Sequence, residues 1–145
     1  MPDTKAAAAA KVAQAAVAPT RRQGGELRAL LTPASVDATD GFMGTLVLAP
    51  GEYVAEHYHP YSDEFVYLVR GSLEVLLDGA QVRLEADESV MVRRGTRHRF
   101  ANAGVERAFA VFSIGPLAPR PELGHVDTEP PPNPGEEVPR VGGPG

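Results

Sequence analysis

Four side chains able to hold a metal ion fall within one stretch of the chain: His57, His59, Glu64 and His98. The 145-residue sequence has only four histidines, and three of them are here. His57 and His59 lie two apart, so on a strand both point one way and Tyr58 the other. In a regular strand Tyr53 and Ala55 share their face, while Val54 and Glu56 face away. The short Pro60-Tyr61-Ser62-Asp63 link, with Asp63 as a turn residue, sends the chain back so that Glu64 opens the next strand beside the pair. His98 follows a turn at Gly95, with Phe100 and Asn102 in phase. Imidazoles with one carboxylate suit a single zinc, iron, manganese, nickel or cobalt ion and are poor for calcium or magnesium. Such a set leaves two open positions in an octahedral shell and none in a tetrahedral one, so Glu64 is either a ligand or, once released, a base. Glu64 and His59 are the candidate catalytic residues.

Elements that bring these residues together must be short and strand-like. Alternating or apolar runs occupy residues 42–48, 53–59, 64–69, 72–77, 80–84, 89–92, 98–101 and 107–113. Asp40-Gly41, Pro50-Gly51, Arg70-Gly71, Asp78-Gly79, Arg94-Gly95 and Asn102-Ala103-Gly104 punctuate them. Asp78-Gly79 between LEVLL and AQVRL predicts a type I′ hairpin. Residues 26–31 read as a strand or a turn of helix. No long helical run separates the strands, so the chain is all-β, an antiparallel sandwich or barrel, and not α/β.

The ends differ from this middle. Residues 1–22 are alanine-rich and read as a flexible arm, with a short helix over 5–17 if a partner receives it. Residues 23–122 form the packed domain. Residues 123–145 are rich in proline and glycine and read as a disordered tail, whose first part, to about Val126, is expected along the barrel, with disorder beyond Glu129 and His125 solvated. A net charge of −5 argues against nucleic acid as a partner. There are no cysteines, so disulfides and thiolate sites are excluded. No run approaches the ~20 apolar residues that span a membrane, and no secretory signal is evident, so a cytoplasmic location is expected.

Gly51, His57-Tyr58-His59, Glu64 and Gly71 stand at the spacing of the first cupin motif, and the chain resembles that superfamily. Gly95, His98 and Asn102 match the looser second motif, in which Asp87 replaces the leading glycine and Arg93 the proline. The resemblance covers about residues 24–119 and implies a jelly-roll β-barrel with one divalent metal inside, commonly as a homodimer. The stretch GTLVLAPGEYVAEHYHPYSDEFVYLVRGSLEV is similar, more narrowly, to small cupins of actinobacterial aromatic (type II) polyketide gene clusters, of the tetracenomycin, resistomycin and spore-pigment types.

That narrower resemblance implies metal-assisted cyclisation of a poly-β-keto chain, a small hydrophobic substrate, free or carried on an acyl-carrier protein. Candidate substrate-binding residues are Phe42, Tyr53, Val66, Leu68, Arg70, Phe100, Phe109 and Phe112. Phe109 and Phe112 differ in strand phase, so a regular strand sends only one of them inward. Arg93, Arg94, Arg97 and Arg99 surround the second motif, either to meet a carrier protein or as a solvated rim. The same ligand set also fits an Fe(II)-dependent dioxygenase, an isomerase of sugars or keto acids, or a non-catalytic small-molecule binding barrel.

Overall fold

The computed structural model describes residues 9–143, so residues 1–8 of the expected arm, the start of its expected helix, and residues 144–145 lie outside the described residues. Among the described residues ten strands form two five-stranded antiparallel sheets. They are β1 (Glu26–Leu31), β2 (Phe42–Leu48), β3 (Tyr53–Tyr58), β4 (Asp63–Arg70), β5 (Ser72–Leu77), β6 (Ala80–Glu85), β7 (Ser89–Val92), β8 (His98–Ala101), β9 (Ala108–Gly115) and β10 (Val126–Asp127). One sheet has the order β1-β2-β9-β4-β7 and the other β10-β3-β8-β5-β6. A four-residue helix, α1 (Pro33–Val36), is capped reciprocally by Thr32 and Ser35. Among the described residues no helix is long and apolar enough to cross a membrane.

Alternation explains the core. Val66 and Leu68 of β4, Leu73 and Val75 of β5, and Ala108, Ala110, Phe112 and Ile114 of β9 point inward and are buried. Residues between them on β4, such as Phe65 and Tyr67, face out. Asp78 and Gly79 both take positive φ between the paired Leu77 and Ala80, the expected type I′ hairpin. At Gly71 φ is +85°, and a Cβ there would stand 2.8 Å from the Ala108 Cα, so the glycine lets β4 turn close against β9. Asp87, in the place of the motif glycine, keeps the left-handed backbone with φ 69°. Its carboxylate accepts from the Tyr67 hydroxyl at 2.9 Å.

The sequence expectation fails at one strand. β3 carries one extra residue opposite β8: Val54 pairs with Phe100, yet His57 pairs with His98. This bulge reverses the phase between them. Val54 therefore shares the inner face with His57, and Tyr53 lies outside under the Arg99 guanidinium, 4.3 Å from its ring centre.

Both ends depart from the expected picture. Residues 9–22 hold only a 3-10 turn at Gln14–Ala16 and pack on the first sheet. Thr20 exchanges backbone hydrogen bonds with Leu27, and the Arg28 side chain donates to the Val17 carbonyl at 2.9 Å. A lone helix this short does not repay its nucleation, and strand-like backbone pairing takes its place. The tail lies along the barrel as expected to Val126, which with Asp127 pairs with Tyr58 and His57, and it departs beyond Glu129, where Val141 is fully buried. Backbone pairing and one buried valine hold a segment whose composition argues for disorder.

Asn102 ties the loop between β8 and β9 to the end of β2. Its Nδ2 donates to the Leu48 and Glu106 carbonyls, each at 2.8 Å, and its Oδ1 accepts from Gly104 N at 2.9 Å. The side chain is 2% exposed. Asn102→Ala strands these buried groups and is expected to lower unfolding free energy by about 2–4 kcal/mol. Denaturant titration with the m-value unchanged checks this; a loss under about 0.5 kcal/mol contradicts it.

Candidate metal centre

The bulge in β3, the β3–β4 link and the loop before β8 each aim one part of the site. His57 and His59 come from the end of β3 and the residue after it, Glu64 from the start of β4, and His98 from the start of β8. The loop before β8 is tied to both neighbours: Gly95 N donates to the His59 carbonyl at 2.9 Å, and Arg94 N donates to Asp63 Oδ1 at 2.8 Å. Asp63 thus opens β4 and anchors the second motif, beyond its expected turn role. One ligand atom from each of the four residues lies within 4.8 Å of all the others, and all four residues are buried.

Each imidazole is held through Nδ1 by a backbone carbonyl. His57 Nδ1 donates to Ala55 O at 2.8 Å, His59 Nδ1 to Gly124 O at 2.9 Å, and His98 Nδ1 to Thr96 O at 3.0 Å. That fixes the proton on Nδ1 and leaves Nε2 as a lone-pair donor, the second-shell pattern of metal-binding histidines. Nε2 of His59 and of His98 are buried without a hydrogen-bond partner. They stand 3.3 and 3.2 Å from Glu64 Oε1. Two bare lone pairs facing a buried carboxylate repel it unless positive charge sits among them. A divalent cation supplies that charge, so the residues fit a metal ion.

The titration tendencies follow from the same crowding. Burial pushes the His57 imidazole well below its usual range, and His98, His59 and His125 add to this. Burial opposes ionisation of Glu64, yet the neighbouring His59 and His98 outweigh it and hold the carboxyl well below its normal value. Burial likewise opposes protonation of His98, but the Glu64 carboxylate outweighs it and raises the imidazole.

Around this cluster lies a cavity of about 510 Å³. Phe42, Phe100 and Phe112 line it with Leu46, Val54 and Ile114, and Phe42 meets Phe112 edge to face at 5.8 Å. The other sequence-derived wall residues lie elsewhere. Val66 and Leu68 are buried in the core beside the cavity, Arg70 is exposed, and Phe109 is half-buried on the face opposite Phe112. Tyr53 stands outside for the reason of the bulge. Of the arginines near the second motif, Arg94 pairs with Asp63, Arg97 with Asp78 and Arg99 with Glu129.

Sequence reasoning missed the cavity's other wall. Pro121, His125 and residues 137–143 of the tail line it, with Gln23 from the start of the domain. His125, expected in solvent, has a side chain 2% exposed and stacks on the His57 ring at 4.5 Å between centroids. Burial pushes its pKa down to about 4, against the pull of the Asp127 carboxylate. The one available signal was scarcity: with four histidines in the chain, the last is worth placing beside the other three.

The chain is expected to bind one divalent ion, and His98→Ala to weaken binding by more than about 100-fold. Because a proton and the ion compete for His98, whose pKa is raised, affinity should climb with pH from below to above the usual imidazole range. Calorimetric zinc titrations across that window check both; equal affinity in wild type and variant, or a flat pH profile, contradicts them.

A cupin-domain family model matches residues 44–115. The tetracenomycin polyketide synthase protein TcmJ of Streptomyces glaucescens is 63% identical over 137 residues, covering 94% of this chain and 92% of its own. Polyketide synthase CurC of Streptomyces cyaneus is 57% identical over 115 residues, covering 79% and 75%. Among solved structures, oxalate oxidase in complex with the substrate analogue glycolate superposes with a TM-score of 0.70 at 22% identity, covering 88% of this chain and 68% of that one, a likeness of fold. With both cupin motifs placed around one buried cluster, and one relative matching nearly end to end, the chain belongs to the cupin family and groups with these Streptomyces polyketide synthase proteins.

Proposed function

We propose that the protein takes part in aromatic polyketide biosynthesis as a metal-dependent cyclase, or as an accessory to cyclisation, acting on a poly-β-keto intermediate. One observation carries this reading: the His57, His59, Glu64 and His98 cluster opens on a mainly apolar cavity walled by Phe42, Phe100 and Phe112. The relatives' names, polyketide synthase proteins, give the substrate class. A bound divalent ion, whether zinc, iron, manganese, nickel or cobalt, would polarise a carbonyl and favour the enolate.

The chain's own residues supply the rest. The cavity walls limit how a floppy polyketone folds, which is the larger part of bringing one carbon to one carbonyl. The apolar lining keeps water from the reacting carbonyls. The three backbone carbonyls hold the imidazoles in place, so the donor set is in position before substrate enters. Glu64, with its low proton affinity, serves better as a charge partner in the cluster than as the base that removes a proton.

The same reading has the protein as a homodimer. On the outer face of the first sheet Phe65 and Tyr67 are 50% and 43% exposed, beside Met91 and Val111, an apolar area suited to a second copy. The exposed Arg93, Arg94 and Arg97 near the second motif are the proposed contact for an acyl-carrier protein.

Two measurements test these points. Added to a ketosynthase and carrier-protein system that releases poly-β-ketones, the wild type should shift the products toward specific cyclised aromatics, and His98→Ala should lose most of that shift. Identical product profiles with and without the protein refute the role in cyclisation. In sedimentation velocity the wild type should run as a dimer and Phe65→Glu as a folded monomer; a wild-type monomer at tens of micromolar rejects the dimer.

A further inference from the structure

The tail carries a polar group into the cavity that the metal cluster does not use. His125 lines the cavity, and its side chain is 2% exposed. Its Nε2 lies 2.7 Å from Asp127 Oδ1. That carboxylate is held from two further sides, by Gln23 Nε2 at 3.2 Å and by Arg22 Nη2 at 3.0 Å. A carboxylate can only accept, so Nε2 carries the proton and Nδ1 keeps its lone pair. Nδ1 is buried and has no hydrogen-bond partner among the described residues. His125 is also outside the group of four whose ligand atoms converge. An aspartate, a glutamine and an arginine thus orient one imidazole whose Nδ1 has no hydrogen-bond partner among the described residues. A buried acceptor left without a donor is unfavourable, and native proteins keep few of them.

We propose that His125 is a ligand-binding residue whose Nδ1 accepts a hydrogen bond from a hydroxyl on an enol or phenol lodged in the cavity, with Asp127 as the residue that positions it. The ligand class rests on the polyketide reading above, since β-diketones enolise and their cyclised products are phenols. The acceptor itself is independent of that reading, because any planar ligand with one donor hydroxyl satisfies it. The geometry sets two different demands side by side in the cavity: oxygen donors at the histidine–glutamate cluster, and a hydrogen-bond donor at His125 stacked against it. It also selects against ethers and keto tautomers of the same size, which bring His125 no hydrogen.

The test compares 2-naphthol with its methyl ether, two probes of similar shape of which only the first can donate. Affinities are measured for the full chain as wild type and as His125→Phe, each zinc-loaded and after chelator treatment. Wild type should favour 2-naphthol by about tenfold with or without zinc, and His125→Phe should favour neither while binding the ether within about threefold of wild type. No preference in the wild type, a preference that survives His125→Phe, or one that disappears with the zinc, overturns the proposal. Should the variant not fold, nitrogen-15 spectra of the wild type decide: the His125 Nδ1 resonance should move with 2-naphthol and stay with the ether, and an unmoved resonance refutes the contact. These readouts need no turnover. A naphthol preference with unchanged polyketide products sinks only the cyclisation role, and the converse result sinks only this assignment.

Discussion

A carboxylate sealed among three imidazoles is the constraint around which this barrel is arranged. Glu64 is 7% exposed, and its Oε1 sits within 3.3 Å of two nitrogen lone pairs. Nothing apolar relieves that concentration of negative potential; only a proton or a cation does. The raised His98 and lowered Glu64 are one fact seen from two residues, each favouring the charged form of the other. Strands that merely filled a core would not need three histidines with backbone carbonyls behind them.

Those carbonyls show how fold and site are coupled. Ala55 and Thr96 hold His57 and His98 from two residues back along the chain, so the ring orientation follows from the strand and loop it stands on. His59 differs, for its carbonyl belongs to Gly124, after the last long strand. Gly124 is itself pressed against the tail: a Cβ there would stand 1.8 Å from the Val141 carbonyl oxygen. The tail therefore helps to orient a member of the cluster as well as walling the cavity. Because one segment does both, displacement of residues 118–143 opens the cavity and frees the His59 ring together.

The strands and the ligand set were legible in the sequence for a physical reason. Period-two alternation is a local property, and glycine or Asp-Gly turns mark where it stops. His57, His59, Glu64 and His98 needed only their strand phase and the turns between them. Tyr53 and Val54 exchanged faces because a bulge is set by the partner strand, where Phe100 and His98 demand a common inner face. Val66 and Leu68 show that an inward side chain can serve the core without lining the cavity. Asp87 and Arg93 break the second motif in letter only: Asp87 adopts the backbone a glycine would, and Arg93 lies exposed.

The tail was illegible because composition measures what a segment can bury by itself, and this one buries little. Its anchors are of another kind. Val141 fills a place in the core, Gly142 bridges Ala118, Arg22 reaches Asp127, and Arg99 reaches Glu129. Proline lowers the conformational entropy that such anchoring must overcome, so a few contacts hold a chain that would otherwise fray. Loops and tails tolerate change more readily than ladders do. The four residues that could hold a metal sit on the ladders or immediately beside them, whereas His125 and residues 137–143 sit on the tail. Such a division lets the shape and polarity of the cavity vary while the histidine–glutamate cluster stays fixed.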